Sequence, residues 1–311
     1  MRKDIIRIGT RSSRLAMWQA NWVKEQIEKE YQGVQCILKK IKTKGDKVTD
    51  VPLAMVGGKG LFVKEIEDAL LRKEIDIAVH SMKDVPTLLP EGLHIRAITE
   101  REDFRDVLIS RSGLRLGELP LNSRIGTSSL RRQAQVLHVY PDFLMIPLRG
   151  NLDTRMKKIE TDGLDGIIVA AAGVRRLGLE ERISEYIPPE TLLPAIGQGA
   201  LGIESRVDDY SIDKILDFLN SMDSEKAITA ERLFLKKLEG GCQVPIAALG
   251  KVQGEILTIH GVVGSVDGKV LLRDSVSGRS DRPADLGERL AERLLARGAG
   301  DLLRSILPTT H

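Results

Sequence analysis

Arg7-Ile8-Gly9-Thr10 returns as Arg124-Ile125-Gly126-Thr127, and each copy passes through serines into a stretch rich in Arg, Gln and Ala. A four-residue match carries little weight alone. A second pair, Asp76-Ile77-Ala78-Val79-His80 and Gly166-Ile167-Ile168-Val169-Ala170, follows in the same order, and both members have the length and apolar content of buried strands. Residues 5–9 read as a further short strand, and residues 13–30 carry Leu15, Trp18, Trp22, Val23 and Ile27 at helical spacing. A strand, turn and helix met twice predict two similar α/β units.

Two connections separate and rejoin these units. Residues 99–105 (TEREDFR) are polar and read as a hinge, and residues 187–202, with three prolines and three glycines, read as a second crossing. Two crossings predict two lobes around a cleft. Beyond about residue 220 the pattern changes to a helix over 227–238, a Gly-rich turn and alternating strands near 247–252, 256–263 and 269–274. Gln253-Gly254-Glu255 and Asp267-Gly268 supply the turns, and one helix over 284–303 closes the chain. The expected division is a first α/β lobe from residues 1–99 plus 200–217, a second from 105–193, and a C-terminal α+β domain from 222–311 with a three-stranded antiparallel sheet.

Length and composition narrow the function. A chain of 311 residues, 42% hydrophobic, can bury cores for two or three domains. No run approaches the roughly 18 apolar residues of a membrane span, and the first residues lack a signal-peptide core, so the cytoplasm is expected. The net charge is only +3, which argues against a nucleic-acid binder. The two cysteines, Cys36 and Cys242, lie far apart in unlike contexts, and the five histidines show no metal spacing, so neither a disulfide framework nor a metal site is expected. Cys36, within Val34-Gln35-Cys36-Ile37-Leu38, reads as a buried strand residue.

Positive charge is local instead, near Arg131-Arg132, Arg149, Arg155 and Arg175-Arg176. Gly9-Thr10-Arg11-Ser12-Ser13 and Gly126-Thr127-Ser128-Ser129 each place free backbone N–H groups at a helix start beside arginines, an arrangement that accepts carboxylate or phosphate. The plainer account is that the serines cap helices. Leu148-Arg149-Gly150-Asn151 and Ala170-Ala171-Ala172-Gly173-Val174-Arg175-Arg176 put further guanidiniums after strands, and converging guanidiniums suit a ligand with several carboxylates. Surface ion pairing is the plainer account of Arg175. His80-Ser81-Met82-Lys83-Asp84-Val85-Pro86 follows a buried strand, where open α/β sheets bind ligands. Asp84 there is a candidate for proton transfer or for stabilising a cation, against the plainer account of a turn aspartate. Val56-Gly57-Gly58-Lys59-Gly60-Leu61 lacks the spacing of a phosphate loop and reads as a basic Gly-rich loop able to close over a ligand, or as a plain surface loop. Glu239-Gly240-Gly241-Cys242-Gln243-Val244-Pro245 sets a cysteine on a Gly-Gly turn, exposed enough to act as a nucleophile.

Taken together, HSMKDVP, IGTSSLRRQAQ, LRGN, AAAGVRRLG, GQGALGIE and AERLFLKKLEGGCQVPIA resemble the porphobilinogen deaminase (hydroxymethylbilane synthase) family of tetrapyrrole biosynthesis, in family order over nearly the whole chain. The resemblance implies two periplasmic-binding-protein-like lobes and a third domain whose Cys242 holds a dipyrromethane cofactor through a thioether. It implies a transferase that adds four porphobilinogen molecules to this primer with loss of ammonia, then releases hydroxymethylbilane by hydrolysis. By residue it implies Asp84 as the catalytic aspartate. Ser81, Lys83, Asp84, Thr127, Ser129, Arg131, Arg132, Gly150 and Asn151 would bind the cofactor, and Arg11, Ser13, Gln19, Arg149, Arg155 and Arg176 the substrate. Lys59 and Phe62 would belong to the closing loop. Some family members carry lysine in this loop where the present chain has Met55. The resemblance further implies a monomer that passes its product to the next pathway enzyme, with no nucleic-acid or membrane partner. The competing reading from the residues alone is a non-catalytic two-lobed binding module for polycarboxylates.

Overall fold

The computed structural model describes residues 4–43, 63–238 and 244–306. The chain begins with β1 (Ile5–Thr10), α1 (Arg14–Glu30), β2 (Gln35–Lys40), α2 (Lys64–Leu71), β3 (Ile77–Ser81) and β4 (Leu93–Ile98). It then crosses to β5 (Asp106–Ser110), β6 (Arg124–Gly126), α3 (Leu130–Val139), β7 (Leu144–Ile146), α4 (Leu152–Thr161), β8 (Gly166–Ala170), α5 (Ala171–Arg176) and β9 (Glu185–Ile187). It returns in β10 (Leu201–Arg206) and α6 (Tyr210–Leu216).

The two five-stranded sheets have one topology. The first runs β2-β1-β3-β10-β4 and the second β7-β6-β8-β5-β9. In the first, β1 lies parallel to β2 and β3, while β10 lies antiparallel to β3 and β4. In the second, β6 lies parallel to β7 and β8, while β5 lies antiparallel to β8 and β9. The two copies of the RIGT sequence thus occupy equivalent strands, β1 and β6, and the two predicted buried strands are β3 and β8. In each sheet the one antiparallel strand is the strand that follows a crossing, β5 where the chain enters the second lobe and β10 where it returns to the first.

Burial explains the local choices. All of Ile77 to His80 and Gly166 to Val169 are buried, as strands covered on both faces must be. In α1 the core takes Gln19, Ala20, Val23 and Ile27, a stripe at helical spacing. Trp22 packs only partly against that core, and Trp18 stays 37% exposed. Cys36 is buried in β2 as read from its neighbours.

The last part of the chain packs α7 (Met222–Lys237), α8 (Pro283–Ala296) and α9 (Ala299–Ile306) with the antiparallel sheet of β11 (Ile246–Gln253), β12 (Ile256–Gly264) and β13 (Leu271–Arg279). Phe234, Leu257, Ile259 and Leu290 centre its core. Two expectations are corrected here. The single closing helix is two helices, because Gly298 adopts φ +95° and ends α8 in a left-handed turn. The third strand continues past 274 to Arg279: from Asp274 onward only Val276 is buried, so a mostly polar stretch hid it.

The crossings lie against each other. Arg101 Nε donates to Gln198 O at 2.8 Å, and Gln198 Nε2 donates to Phe104 O at 2.8 Å. Gly199 sits at φ +99°, where a Cβ would lie 2.4 Å from Glu102 O, so only glycine fits this close approach. Among the described residues no helix is long and apolar enough to cross a membrane.

Candidate active site

β3 ends at Ser81 and tightens into a single 3-10 turn, Met82–Asp84. Met82 anchors the turn: it is 1% exposed, packs with Val85, Ile98, Ala200 and Ile228, and its N–H donates to Ala200 O at 3.0 Å. Gly197 and Gly202 leave it room, since a Cβ at either would come within 2.9 Å of the Met82 side chain. Lys83 and Asp84 are thereby aimed off a fixed turn. Gln19, buried on α1, donates through Nε2 to Ser81 Oγ at 2.9 Å and ties the strand end to the helix.

The second lobe brings its arginines to this turn. Arg131 and Arg132 leave the first turn of α3 and are buried. Arg131 Nη1 donates to Asp106 Oδ2 at 2.8 Å and to Leu193 O at 2.7 Å; Arg132 donates to Asp106 Oδ1 through Nη2 at 2.7 Å and Nε at 3.1 Å, and to Ile168 O at 2.9 Å. Burial alone would raise the Asp106 carboxyl, but the two guanidiniums outweigh it and hold the group below the usual carboxylate range.

Lys83 keeps some solvent contact, yet its ammonium is enclosed by protein at the cleft floor. That enclosure pushes its pKa down to about 8; Arg132 and Arg131 lower it further, while Asp84 and Asp106 oppose the shift. Arg155 donates from Nε to Gly150 O at 2.8 Å, and burial pushes it down to about 10, with Arg132 and Arg149 lowering and Asp84 raising. Arg176 donates to Gly199 O at 2.6 Å, lies 5.9 Å from the Trp18 ring centre, and is pushed down by burial to about 10, with Glu102 opposing.

These electrostatic neighbourhoods join Lys83, Arg131, Arg132, Arg149 and Arg155 around Asp84 and Asp106, five cations against two carboxylates among the described residues. Asp106 is committed to two of the cations. Asp84 faces solvent. Gathering like charges in a partly desolvated place is unfavourable, and a ligand carrying several carboxylates offsets that cost.

The remaining expected residues divide by role. Ser13, Ser129 and Asn151 are the N-caps of α1, α3 and α4, accepting from the N–H of Ala16, Arg132 and Thr154 at 3.3, 3.4 and 2.9 Å. Ser128 Oγ is held by the backbone of Leu148. Thr127 is buried and accepts from Ser129 N at 3.2 Å. Gly150 sits at φ +110° just ahead of the Asn151 cap. Arg11 and Arg149 are half-buried at the ends of their turns. Arg175 makes surface pairs with Glu102 and Asp103, matching its plainer account. Cys242, Lys59, Phe62 and Met55 lie outside the described residues. Asp106, Gln198 and Glu231 were not singled out from the sequence; an aspartate opening an apolar strand after the hinge was the one available sign for Asp106.

Fold and site together define a two-lobed α/β protein with a cluster of cationic side chains around Asp84 and Asp106. The family described as "Porphobilinogen deaminase, dipyromethane cofactor binding domain" matches residues 6–214, which include every cationic group of the cluster, and "Porphobilinogen deaminase, C-terminal domain" matches residues 226–296, which include Cys242. The chain belongs to the porphobilinogen deaminase family. Porphobilinogen deaminase of Geobacter metallireducens is 58% identical over 97% of this chain and 94% of its own length. That of Pelobacter propionicus is 55% identical over 97% of each. Among solved structures, a YaeC-family lipoprotein from Enterococcus faecalis aligns at 14% identity over 70% of this chain and 92% of its own, with a TM-score of 0.40.

Proposed function

We propose that this chain condenses four porphobilinogen molecules, one after another, on a dipyrromethane cofactor joined to Cys242, and that Asp84 carries the chemistry. The observation that supports this most directly is the lone solvent-facing carboxylate of Asp84 set among Lys83, Arg132 and Arg155. The donor set fits the cofactor, because each pyrrole ring brings an acetate and a propionate and guanidinium and ammonium groups are the donors that bind carboxylates. Ser81, Lys83, Thr127, Ser129, Arg131, Arg132, Gly150 and Asn151 are assigned to the cofactor, and Arg11, Ser13, Gln19, Arg149, Arg155 and Arg176 to the substrate. When bound, the dipyrromethane supplies the ring carbon to which the first substrate is joined.

The residues then have separable tasks. Guanidiniums grip the substrate's carboxylates in forked geometry and fix its aminomethyl group beside Asp84. The amine leaves from its ammonium form: the C–N bond breaks, its electron pair goes with nitrogen, and neutral ammonia departs. The substrate fragment left behind is cationic and is stabilised by the Asp84 carboxylate, a negative charge most useful when that cation appears. The same carboxylate would accept the proton released when the new C–C bond forms. Lys83 holds a neighbouring ligand carboxylate and keeps it off Asp84.

The working units are taken as residues 1–99 with 200–217, 105–193 and 222–311, in a monomer that acts in the cytoplasm and hands its product onward. A non-catalytic polycarboxylate binder would use the same arginines and leave Cys242 and Asp84 without a task.

Intact mass of the denatured protein tests the whole reading. The purified chain should exceed its sequence mass by one dipyrromethane and grow in discrete pyrrole steps on brief exposure to porphobilinogen. Cys242→Ala should carry no such mass, and Asp84→Asn should carry it without growing. A mass equal to the sequence value, unchanged by porphobilinogen, would leave only the binding module.

A further inference from the structure

α1 and α5 border an open groove of about 620 Å³ whose lining includes Arg14, Met17, Trp18, Arg175 and Arg176. It lies on the lobe boundary, with α1 from the first lobe and α5 from the second. Its size falls within the range of small-molecule sites. No acidic residue lines it among those described.

We propose that this groove is a second binding site for a carboxylate-bearing pyrrole ring, with the ring against the Trp18 indole and its carboxylates on Arg14 or Arg175. The inference rests on the porphobilinogen chemistry proposed above. Three features carry it. First, Trp18 belongs by spacing to the apolar stripe of α1, yet the core stops at Gln19 and Ala20 and leaves the indole 37% exposed, a large flat surface suited to another ring. Second, the cations can change partners. Arg14 pairs with Asp153 at 3.2 Å with side chains 57% and 38% exposed, and Arg175 reaches Glu102 at 3.4 Å with 42% and 35% exposed. Ion pairs this exposed contribute little, so a ligand carboxylate can replace the protein's own. Third, the walls of the groove are tied to the strand end and to the second crossing. Gln19, the neighbour of Trp18, reaches Ser81, and Arg176 is both a groove wall and a donor to Gly199 in the second crossing.

The ring has two possible sources with one chemistry, free porphobilinogen waiting to react or a ring of the lengthening chain. The sequence has two tryptophans, so Trp22→Phe leaves Trp18 as the sole indole reporter. In that cofactor-bearing variant, emission and intact mass are followed together after porphobilinogen is added. The same is done with Asp84→Asn present, where no ring is added. Quenching in the Asp84→Asn protein identifies free substrate as the occupant; quenching only in the growing enzyme identifies the chain. Trp18→Ala should raise KM or enrich one elongation stage by about two- to tenfold, and Trp18→Phe should restore most of that change. Normal ring additions with unaltered Trp18 emission, together with an unaltered KM and stage distribution in Trp18→Ala, overturn the groove assignment alone. If the unsubstituted protein gains no ring mass, the condensation reading fails and the groove assignment falls with it.

Discussion

Asp106 accepts from Arg132 twice on one carboxylate oxygen, at 2.7 Å from Nη2 and 3.1 Å from Nε, and gives its other oxygen to Arg131. β5 is the strand that enters the second lobe from the first, so the residue opening it fixes two guanidiniums of the cleft floor from the hinge side. Removing it leaves two buried cations without their counter-ion. Asp106→Ala should lower unfolding free energy by about 3–5 kcal/mol.

The same pair sets a pH dependence. The folded carboxyl of Asp106 titrates below its unfolded value of about 3.9, so its stabilisation is present above that pH and is lost as pH falls through the folded value. In urea titrations the deficit of Asp106→Ala should therefore be full at pH 6 and shrink below about pH 4. A deficit independent of pH would mean that the charge pairing is not its source.

Glu231 ties both crossings to the C-terminal part of the chain. Its buried carboxylate accepts from Arg101 at 2.6 and 2.9 Å in the first crossing, from Gly197 N at 2.7 Å in the second, and from Gly250 N at 2.8 Å in β11. Glu231→Ala is expected to cost about 3–5 kcal/mol and Glu231→Gln about 2 kcal/mol, since the amide keeps one acceptor and sets its NH2 against donors. Calorimetry should show the alanine variant unfolding in separate steps as the units come apart.

Much of this architecture was legible because strand ends and helix starts are written locally. The two RIGT copies, the serine caps and the apolar runs of β3 and β8 need only their neighbours to be read. The antiparallel insertion of β10 between β3 and β4 was not, although its return to the first lobe was, because that pairing spans more than a hundred residues and depends on partners that no periodicity names. In the site, arginines after strands were visible as donors, whereas the acceptors that position them, Asp106 and Glu231, sit in ordinary strand and helix contexts. Ser13, Ser129 and Asn151 show the reverse: the family resemblance marked them for a ligand, and each side chain caps a helix.

Lys83 should make ligand affinity depend on pH. Its ammonium titrates near 8, so raising the pH from 7 to 9 removes the charge that holds a cofactor carboxylate, and with the primer ring less well placed to receive the substrate, KM for porphobilinogen should rise by about three- to tenfold. Lys83→Arg, which stays charged, should flatten that rise. The ligand-free protein should behave oppositely. Its folded pKa lies below the unfolded value of about 10.4, so stability recovers as pH climbs from 8 to 10, and Lys83→Met should lack that recovery. A KM profile identical in the arginine variant would remove Lys83 from ligand binding.

Behind the Ser81 strand end, His80 Nε2 lies 2.9 Å from Glu204 Oε2, and buried Glu67 of α2 shares this interior. Burial pushes the Glu67 carboxyl up to about 7, Glu204 and Asp68 add to the rise, and His80 opposes it. A carboxyl raised on folding stabilises fully below its unfolded value and loses that contribution as pH rises through the folded one, here between about 4.5 and 7. Glu67→Gln mimics the protonated form at every pH. It should match the parent near pH 4.5 and exceed it by about 1–3 kcal/mol at pH 8 in urea unfolding. Equal midpoints for the two proteins at pH 8 would show that Glu67 is charged without penalty and that this interior is better solvated than its burial implies.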